Sequence, residues 1–167
     1  MLVLGLDPGL ALSGYALIGG RAGALELVEA GCLRTPAGMA HEQRLAQLAR
    51  EWRALLGSRQ PAAIAVERLF VGRNLRTALP VAEARGVLLC GVAEAALPLH
   101  TYGPSEVKQA VSGNGAASKQ QVARMVRLLL RGAVVPGPDD VTDACAVAIC
   151  HHHAAGTRRA IAAQVAR

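Results

Sequence analysis

The chain has four aspartates, and three of them, Asp139, Asp140 and Asp143, fall within PDDVTD, residues 138–143. The fourth, Asp7, lies in LGLDPGL, and the formal net charge is +6, so scarce acidic groups are concentrated against the general balance. Asp7 and Glu67 each end an apolar run, LVLGLD and PAAIAVE, that reads as a short buried strand. Ligand sites in such sheets lie beyond the carboxyl ends of parallel strands, and adjacent strands would set these two carboxylates side by side. Asp140 and Asp143 are three residues apart and share one face on the first turn of a helix. A helix packed beside the strand ends makes four carboxylates converge. Their repulsion raises their pKa values unless a cation is present. Hard oxygen donors around an open site suit Mg²⁺ or Mn²⁺. Two such ions can activate a water and stabilise a leaving oxygen in phosphodiester hydrolysis. Singly, each residue has a plainer role: Asp139 as a helix cap, Asp140 beside a helix dipole, Asp7 in a turn, Glu67 paired with an arginine. Only the four together point to a metal site.

The sequence pI near 9.8 favours an anionic partner, and nucleic acid is the commonest. There is no block of like charge that would act as a basic tail. A basic surface around an acidic pocket is what a metal-dependent nuclease needs, one holding phosphates and the other cations. At 52 % hydrophobic and 18 % charged residues, disorder is excluded. Cys32, Cys90, Cys145 and Cys150 form no CxxC pair, so buried free thiols in a reducing compartment are expected rather than zinc ligands. The N-terminal run carries Asp7 and lacks a basic start, and no stretch is long enough to span a bilayer. A cytoplasmic protein with no membrane partner is expected. His151, His152 and His153 lie well beyond Asp143 along a helix and read as its polar end; His100 reads as structural.

Positioning these groups requires an α/β domain. LVLGLD, SGYALI and ALELVEAGCLRT read as an antiparallel meander of three strands. HEQRLAQLAREWRALLGS has helical spacing at Leu45, Leu48, Trp52, Leu55 and Leu56, with Gly57 suited to end it. The strand PAAIAVE follows, then the loop LFVGRN and a helix over 77–96 with Pro80 in its first turn or at a kink. PLHTYG reads as a strand, PSEVKQAVSG as a short helix begun by Pro104, and SKQQVARMVRLLLRG as a helix capped by Ser118. The last helix spans DDVTDACAVAICHHHAAG, leaving about the final dozen residues as a loose tail. One domain over residues 1–167 is expected, its later strands parallel to the first after crossover helices.

The stretches LGLDPGL, GYALI, VERLFVGRNLRTAL, EARGV, YGPSEVKQAVSGNGAASKQQVARMV and PDDVTDACAVAIC, in this order and spacing, resemble the RuvC family of crossover junction endodeoxyribonucleases. That family lies within the RNase H-like superfamily. The resemblance implies an RNase H-like fold with a five-stranded mixed sheet flanked by helices. It implies a homodimer that cuts two like-polarity strands of four-way junction DNA, leaving ligatable 5′-phosphate and 3′-hydroxyl ends in recombination and repair. A branch-migration helicase complex is the implied partner. The catalytic and metal-binding carboxylates fall on Asp7, Glu67, Asp140 and Asp143, with two Mg²⁺ or Mn²⁺ ions per site, and Asp139 remains a cap.

Lys108 and Lys119, the only two lysines, match positions where the family uses lysine for phosphate binding and, at Lys119, catalysis. Phe70 matches an aromatic near the junction centre, where it would stack on a base. Arg73, Asn74 and Arg76 lie in the same DNA-binding segment, and Arg85 is a further candidate for backbone contact. Two departures concern the surroundings: Ala11-Leu12 where relatives carry a basic or hydroxyl residue, and Asn114 between two glycines where they carry an apolar one. An RNase H-like nuclease acting on ribosomal RNA precursors is the nearest alternative. A junction-binding protein without catalysis is the other, and four carboxylates speak against it.

Overall fold

The computed structural model describes residues 1–68 and 75–165, with side chains for all of these except 75–77. The elements are β1 (Val3–Asp7), β2 (Leu12–Arg21), β3 (Ala24–Arg34), α1 (His41–Arg59), β4 (Ala63–Glu67), α2 (Leu75–Glu94), β5 (Leu99–Tyr102), α3 (Pro104–Ser112), α4 (Lys119–Leu129) and α5 (Asp139–Val165). The five strands form one sheet in the order β3-β2-β1-β4-β5. β1, β2 and β3 pair antiparallel, whereas β4 runs parallel to β1 and β5 parallel to β4. The β2–β3 connection is two residues long, and Gly23 supplies the positive φ of 84° that a tight hairpin demands. The mixed α/β sheet expected from sequence is present.

Strand alternation sorts the core into two layers. Leu4, Leu6, Ile64 and Val66 pack with Leu48, Trp52, Leu55 and Leu56 of α1 and with Ala84, Leu88 and Val92 of α2. Val3, Ala16, Ile18 and Ala65 pack on the opposite face with α3, α4 and α5. The α1–α2 seam is fixed by Trp52, fully buried, whose indole N–H donates to the Leu88 carbonyl at 2.8 Å. By the same alternation Asp7 and Glu67, odd-numbered like Val3 and Ala65, fall on the α5 side.

Helix ends differ from the sequence expectation. α1 passes Gly57 and ends at Arg59, with Gln60 taking the left-handed cap position at φ 45° before Pro61. Gly57 does not take the positive φ of a capping glycine and stays within the helix. α2 starts two residues early, which places Pro80 in its second turn. α5 overruns Gly156 and continues through Val165, so the residues expected as a loose tail are helical though exposed. The alanine-rich run AIAAQV has the propensity to carry it.

The histidine run is not a polar helix end. His151 and His152 are each 2 % exposed. His151 Nδ1 lies 2.8 Å from the Tyr102 hydroxyl, His152 Nε2 2.9 Å from the Ile18 carbonyl and His153 Nδ1 2.9 Å from the Ala110 carbonyl. His100, structural as expected, packs against His151 with ring centroids 4.3 Å apart and planes tilted by 41°. α5 is flanked by the sheet and α3 together, so three consecutive ring positions all meet protein. The thiols are free, and Cys145 and Cys150 are buried, but Cys90 is exposed and Cys32 only half-buried.

Candidate active site

β1 ends on Asp7, and the register of Leu6 opposite Val66 brings Glu67 to the neighbouring strand end. The turn after Asp7 is tied down: the Ser13 hydroxyl donates to the Gly9 carbonyl at 2.6 Å and accepts from the Gly9 N–H at 3.1 Å. Thr35 Oγ1 donates to the Leu10 carbonyl at 2.5 Å. Ala11-Leu12 therefore sits in a turn ordered by hydroxyls beyond it. Asn114 likewise closes its own turn, accepting from the Ala116 N–H at 2.9 Å through its side chain.

Two strand glycines set the height of α5. A Cβ on Gly5 would come 1.9 Å from the Ala144 carbonyl oxygen, and one on Gly14 would come 2.2 Å from the Asp140 carbonyl oxygen. Gly14 is the cross-strand partner of Asp7. The helix can thus lie directly on the sheet, with Asp140 over the strand pair that ends in Asp7 and Asp143 one turn further along.

The electrostatics show the convergence. Burial first, then the charges of Asp143, Asp140 and Glu67, raise the Asp7 pKa from 3.8 to about 7, while Lys119 opposes the shift. Glu67 is raised by burial and by Asp143, with Lys108 pulling it back. Lys119 Nζ lies 3.0 Å from Asp143 Oδ2 and 3.4 Å from Asp139 Oδ2. Burial draws the Lys119 pKa down, but Asp143 and then Asp139 outweigh it and leave it raised. Asp139 is the first residue of α5, one place later than a capping residue, and its carboxylate is engaged with Lys119.

Lys119 owes its place to Ser118. The Ser118 hydroxyl accepts from the Gln121 N–H at 3.3 Å, and Gln121 Oε1 accepts from the Ser118 N–H at 2.8 Å, a reciprocal cap that starts α4 at Lys119. Lys108, on α3, lines a cavity of about 300 Å³ together with Glu67, Lys119 and Asp143. A second cavity of about 260 Å³ is lined by Asp7, Glu67 and Asp143 with Arg68, Val81 and Arg85. A larger hollow of about 610 Å³, beside Glu106, Gln109 and His153, lies away from the carboxylates.

The donor set fits a hard divalent cation: four carboxylates, one of them, Asp7, raised by burial and then by its acidic neighbours to about 7, with no thiol among them. Among the described residues no three His, Cys, Asp or Glu side chains are gathered tightly enough to chelate an ion as they stand. Asp7, Glu67 and Asp143 border open cavities, unlike the ligands in the closed cages of structural metals.

The structure thus brings Asp7, Glu67, Asp140, Asp143, Lys108 and Lys119 into one region. Phe70, Arg73 and Asn74 lie outside the described residues, as does the Arg76 side chain. Sequence reasoning missed Gly5, Gly14, Ser13 and Arg68. For the glycines the signal was there, since glycine inside a strand often marks the close approach of another backbone. No helix of the described residues is long and apolar enough to cross a membrane.

Comparison with known proteins agrees with this geometry. The family model described as crossover junction endodeoxyribonuclease RuvC matches residues 3–151. A curated crossover junction endodeoxyribonuclease RuvC from Chloroflexus aurantiacus is 49 % identical over 157 residues, covering 94 % of this chain and 96 % of the relative. The structure of Thermus thermophilus RuvC in complex with Holliday junction substrate superposes with a TM-score of 0.88 at 33 % identity, covering 94 % of this chain and 96 % of that one. A yeast mitochondrial Holliday junction resolvase, 14 % identical with a TM-score of 0.64, covering 90 % of this chain and 78 % of that one, shares the fold. The architecture is RNase H-like. With a family match spanning both carboxylate strands and the start of α5, this chain belongs to the RuvC family of crossover junction endodeoxyribonucleases.

Proposed function

We propose that the protein resolves four-way DNA junctions by metal-dependent hydrolysis, cutting two like-polarity strands symmetrically and leaving 5′-phosphate and 3′-hydroxyl ends. The observation that carries this is the meeting of Asp7, Glu67, Asp140 and Asp143 at the carboxyl ends of two interior strands, beside Lys108 and Lys119. Asp7, Glu67, Asp140 and Asp143 would hold two Mg²⁺ or Mn²⁺ ions, which when bound supply activation of water and stabilisation of the departing 3′ oxygen. The chain's own part is to crowd the carboxylates so that ionising Asp7 is costly without a cation. Lys119, held at Asp143, offsets their charge and offers an ammonium to a phosphate oxygen. Lys108 does the same beside Glu67. Phe70, Arg73, Asn74 and Arg76 are proposed as DNA contacts, Phe70 by stacking on a base.

Symmetric cutting needs two active sites, hence a homodimer. The outer side of α2, where Leu79 is 62 % exposed, supports an interface there. A branch-migration helicase complex is the proposed companion in the cell.

Cleavage of a mobile four-way junction, compared with linear duplex and structured RNA in Mg²⁺, Mn²⁺ and EDTA, tests the proposal. Paired, ligatable, metal-dependent nicks in the junction alone are expected. Cutting of RNA instead would move the activity to RNA processing, and binding without cutting would make the protein a junction binder.

A further inference from the structure

We infer that the active centre holds DNA by a second phosphate cradle, formed by Arg68 and Arg85, on the opposite side of the carboxylates from Lys108 and Lys119. It takes a phosphodiester next to the scissile one, and the inference rests on the junction-cutting function proposed above. The two cavities share Glu67 and Asp143 and diverge from them. One opens among α3, α4 and α5, where both lysines stand. The other opens toward the turn after β1 and toward α2, the helix of the opposite core layer. A nucleic-acid strand crossing the carboxylates carries a negative charge on each phosphate, so the phosphates on either side of the reacting one are repelled by the same acidic groups. Cations are needed on both flanks. The lysines serve one flank, and Arg68 and Arg85 line the other.

Arg85 is held for such a role. Its Nη1 donates to the Glu67 main-chain carbonyl at 2.6 Å, tying the guanidinium to the strand end that bears a catalytic-site carboxylate. Arg53 and Arg59, by contrast, each grip a surface glutamate, with the N–H groups of Nε and Nη2 on both carboxylate oxygens of Glu94 and of Glu29. The Glu67 carbonyl takes one of the five donors that a guanidinium carries. Arg85 is half-buried, and that burial draws its pKa below the usual arginine range without removing its charge. A charge kept in such a place beside three carboxylates suits a rigid planar fork for phosphate oxygens. Arg68, exposed, follows Glu67 directly, its backbone N–H fixed to the Tyr102 carbonyl at 2.7 Å.

The test uses junctions in which a single phosphate, one to three nucleotides to either side of the cleaved bond, is replaced by a neutral methylphosphonate. Binding in EDTA and cleavage in Mg²⁺ are compared for the wild type, Arg68→Gln, Arg85→Gln and Lys108→Gln. On unmodified DNA each arginine variant is expected to bind roughly 3–10-fold more weakly, with its salt slope reduced by about 1. More tellingly, the arginine variants become indifferent to neutralisation on one flank and Lys108→Gln to neutralisation on the other. Arginine variants that stay as sensitive as the wild type to every neutral linkage overturn the cradle while leaving the nuclease function intact. Arg68→Gln alone decides this if Arg85→Gln fails to fold, because Arg68 is an exposed side chain. A wild type that neither binds nor cuts the unmodified junction overturns the function itself, and the cradle with it.

Discussion

Asp7 shows how the crowding proposed to bind metal appears as local instability. Held with a pKa of about 7 against an ordinary 3.8, it keeps a proton in the folded state that the unfolded chain has already lost. Its contribution to stability is therefore highest in acid and declines as pH rises from about 4 to about 7. His151 works in the other direction. Burial first, then His100 and Arg158, lower it from 6.5 to about 4, so the unfolded chain takes up a proton that the folded one refuses, and stability is lost as pH falls from 6.5 to 4. Asp7→Asn removes only the first effect. Without metal, this variant is expected to gain roughly 1–2 kcal/mol near neutral pH, about 3–6 °C in melting temperature. Its melting temperature should also climb more steeply than that of the wild type between pH 4 and 7. Cleavage should vanish while junction binding persists, because binding rests on basic groups. Thermal melts in EDTA with and without added Mg²⁺ check the first two expectations; stabilisation by Mg²⁺ should be seen in the wild type and reduced in the variant. Equal pH slopes in the two proteins would show that the crowding of Asp7 is not what limits the metal-free fold.

The acidic residues were legible at the level of the element because each ends or begins one: Asp7 and Glu67 close apolar strands, and Asp140 and Asp143 share a helical face. What spacing alone left open was which of Asp139 and Asp140 belongs with the cluster, since adjacent helical residues differ by direction and not by type. The strand directions were readable from the meander and the crossover helices, whereas the ends of α1 and α5 were not. A glycine ends a helix only where the chain turns to positive φ, which Gly57 and Gly156 do not, and alanine-rich sequence continues one without packing. The burial of His151 and His152 was hidden for another reason: sequence cannot tell that α5 is enclosed on more than one side. Gly14 is where element packing becomes chemistry. Gly14→Ala sets a methyl against the Asp140 carbonyl, main chain that cannot rotate aside, so α5 must lift from β2 just where Asp7 and Asp140 should face one another. A loss of about 1–3 kcal/mol is expected from overpacking, measured by urea unfolding. Cleavage at saturating Mg²⁺ should fall further than the unfolded fraction accounts for. Wild-type cutting by a stable Gly14→Ala protein would mean that the carboxylates tolerate a helix shift.

At the scale of the whole molecule, the ends of β1 and β4 and the start of α5 carry one set of four carboxylates, so one chain of the proposed nuclease can cut one strand. Resolution of a junction requires two cuts, and the proposed dimer through α2 supplies them from two identical sites related by a two-fold axis. Such an arrangement separates nicking from resolution in a way that subunit mixing exposes. In a mixture of wild type with a large excess of Asp7→Asn protein, nearly every wild-type chain is paired with a partner that binds DNA but cannot cut it. The mixed dimer should still seat on the junction, since the basic groups of both halves are intact. It should then nick a single strand, so that nicked junctions accumulate while paired, ligatable duplex products fall away. Denaturing gels of junctions labelled on each strand, with the excess varied, read this directly. Were the chains to act as independent monomers, dilution with Asp7→Asn would slow both products alike through competition for DNA, and the ratio of single to double cuts would not follow the fraction of mixed dimers.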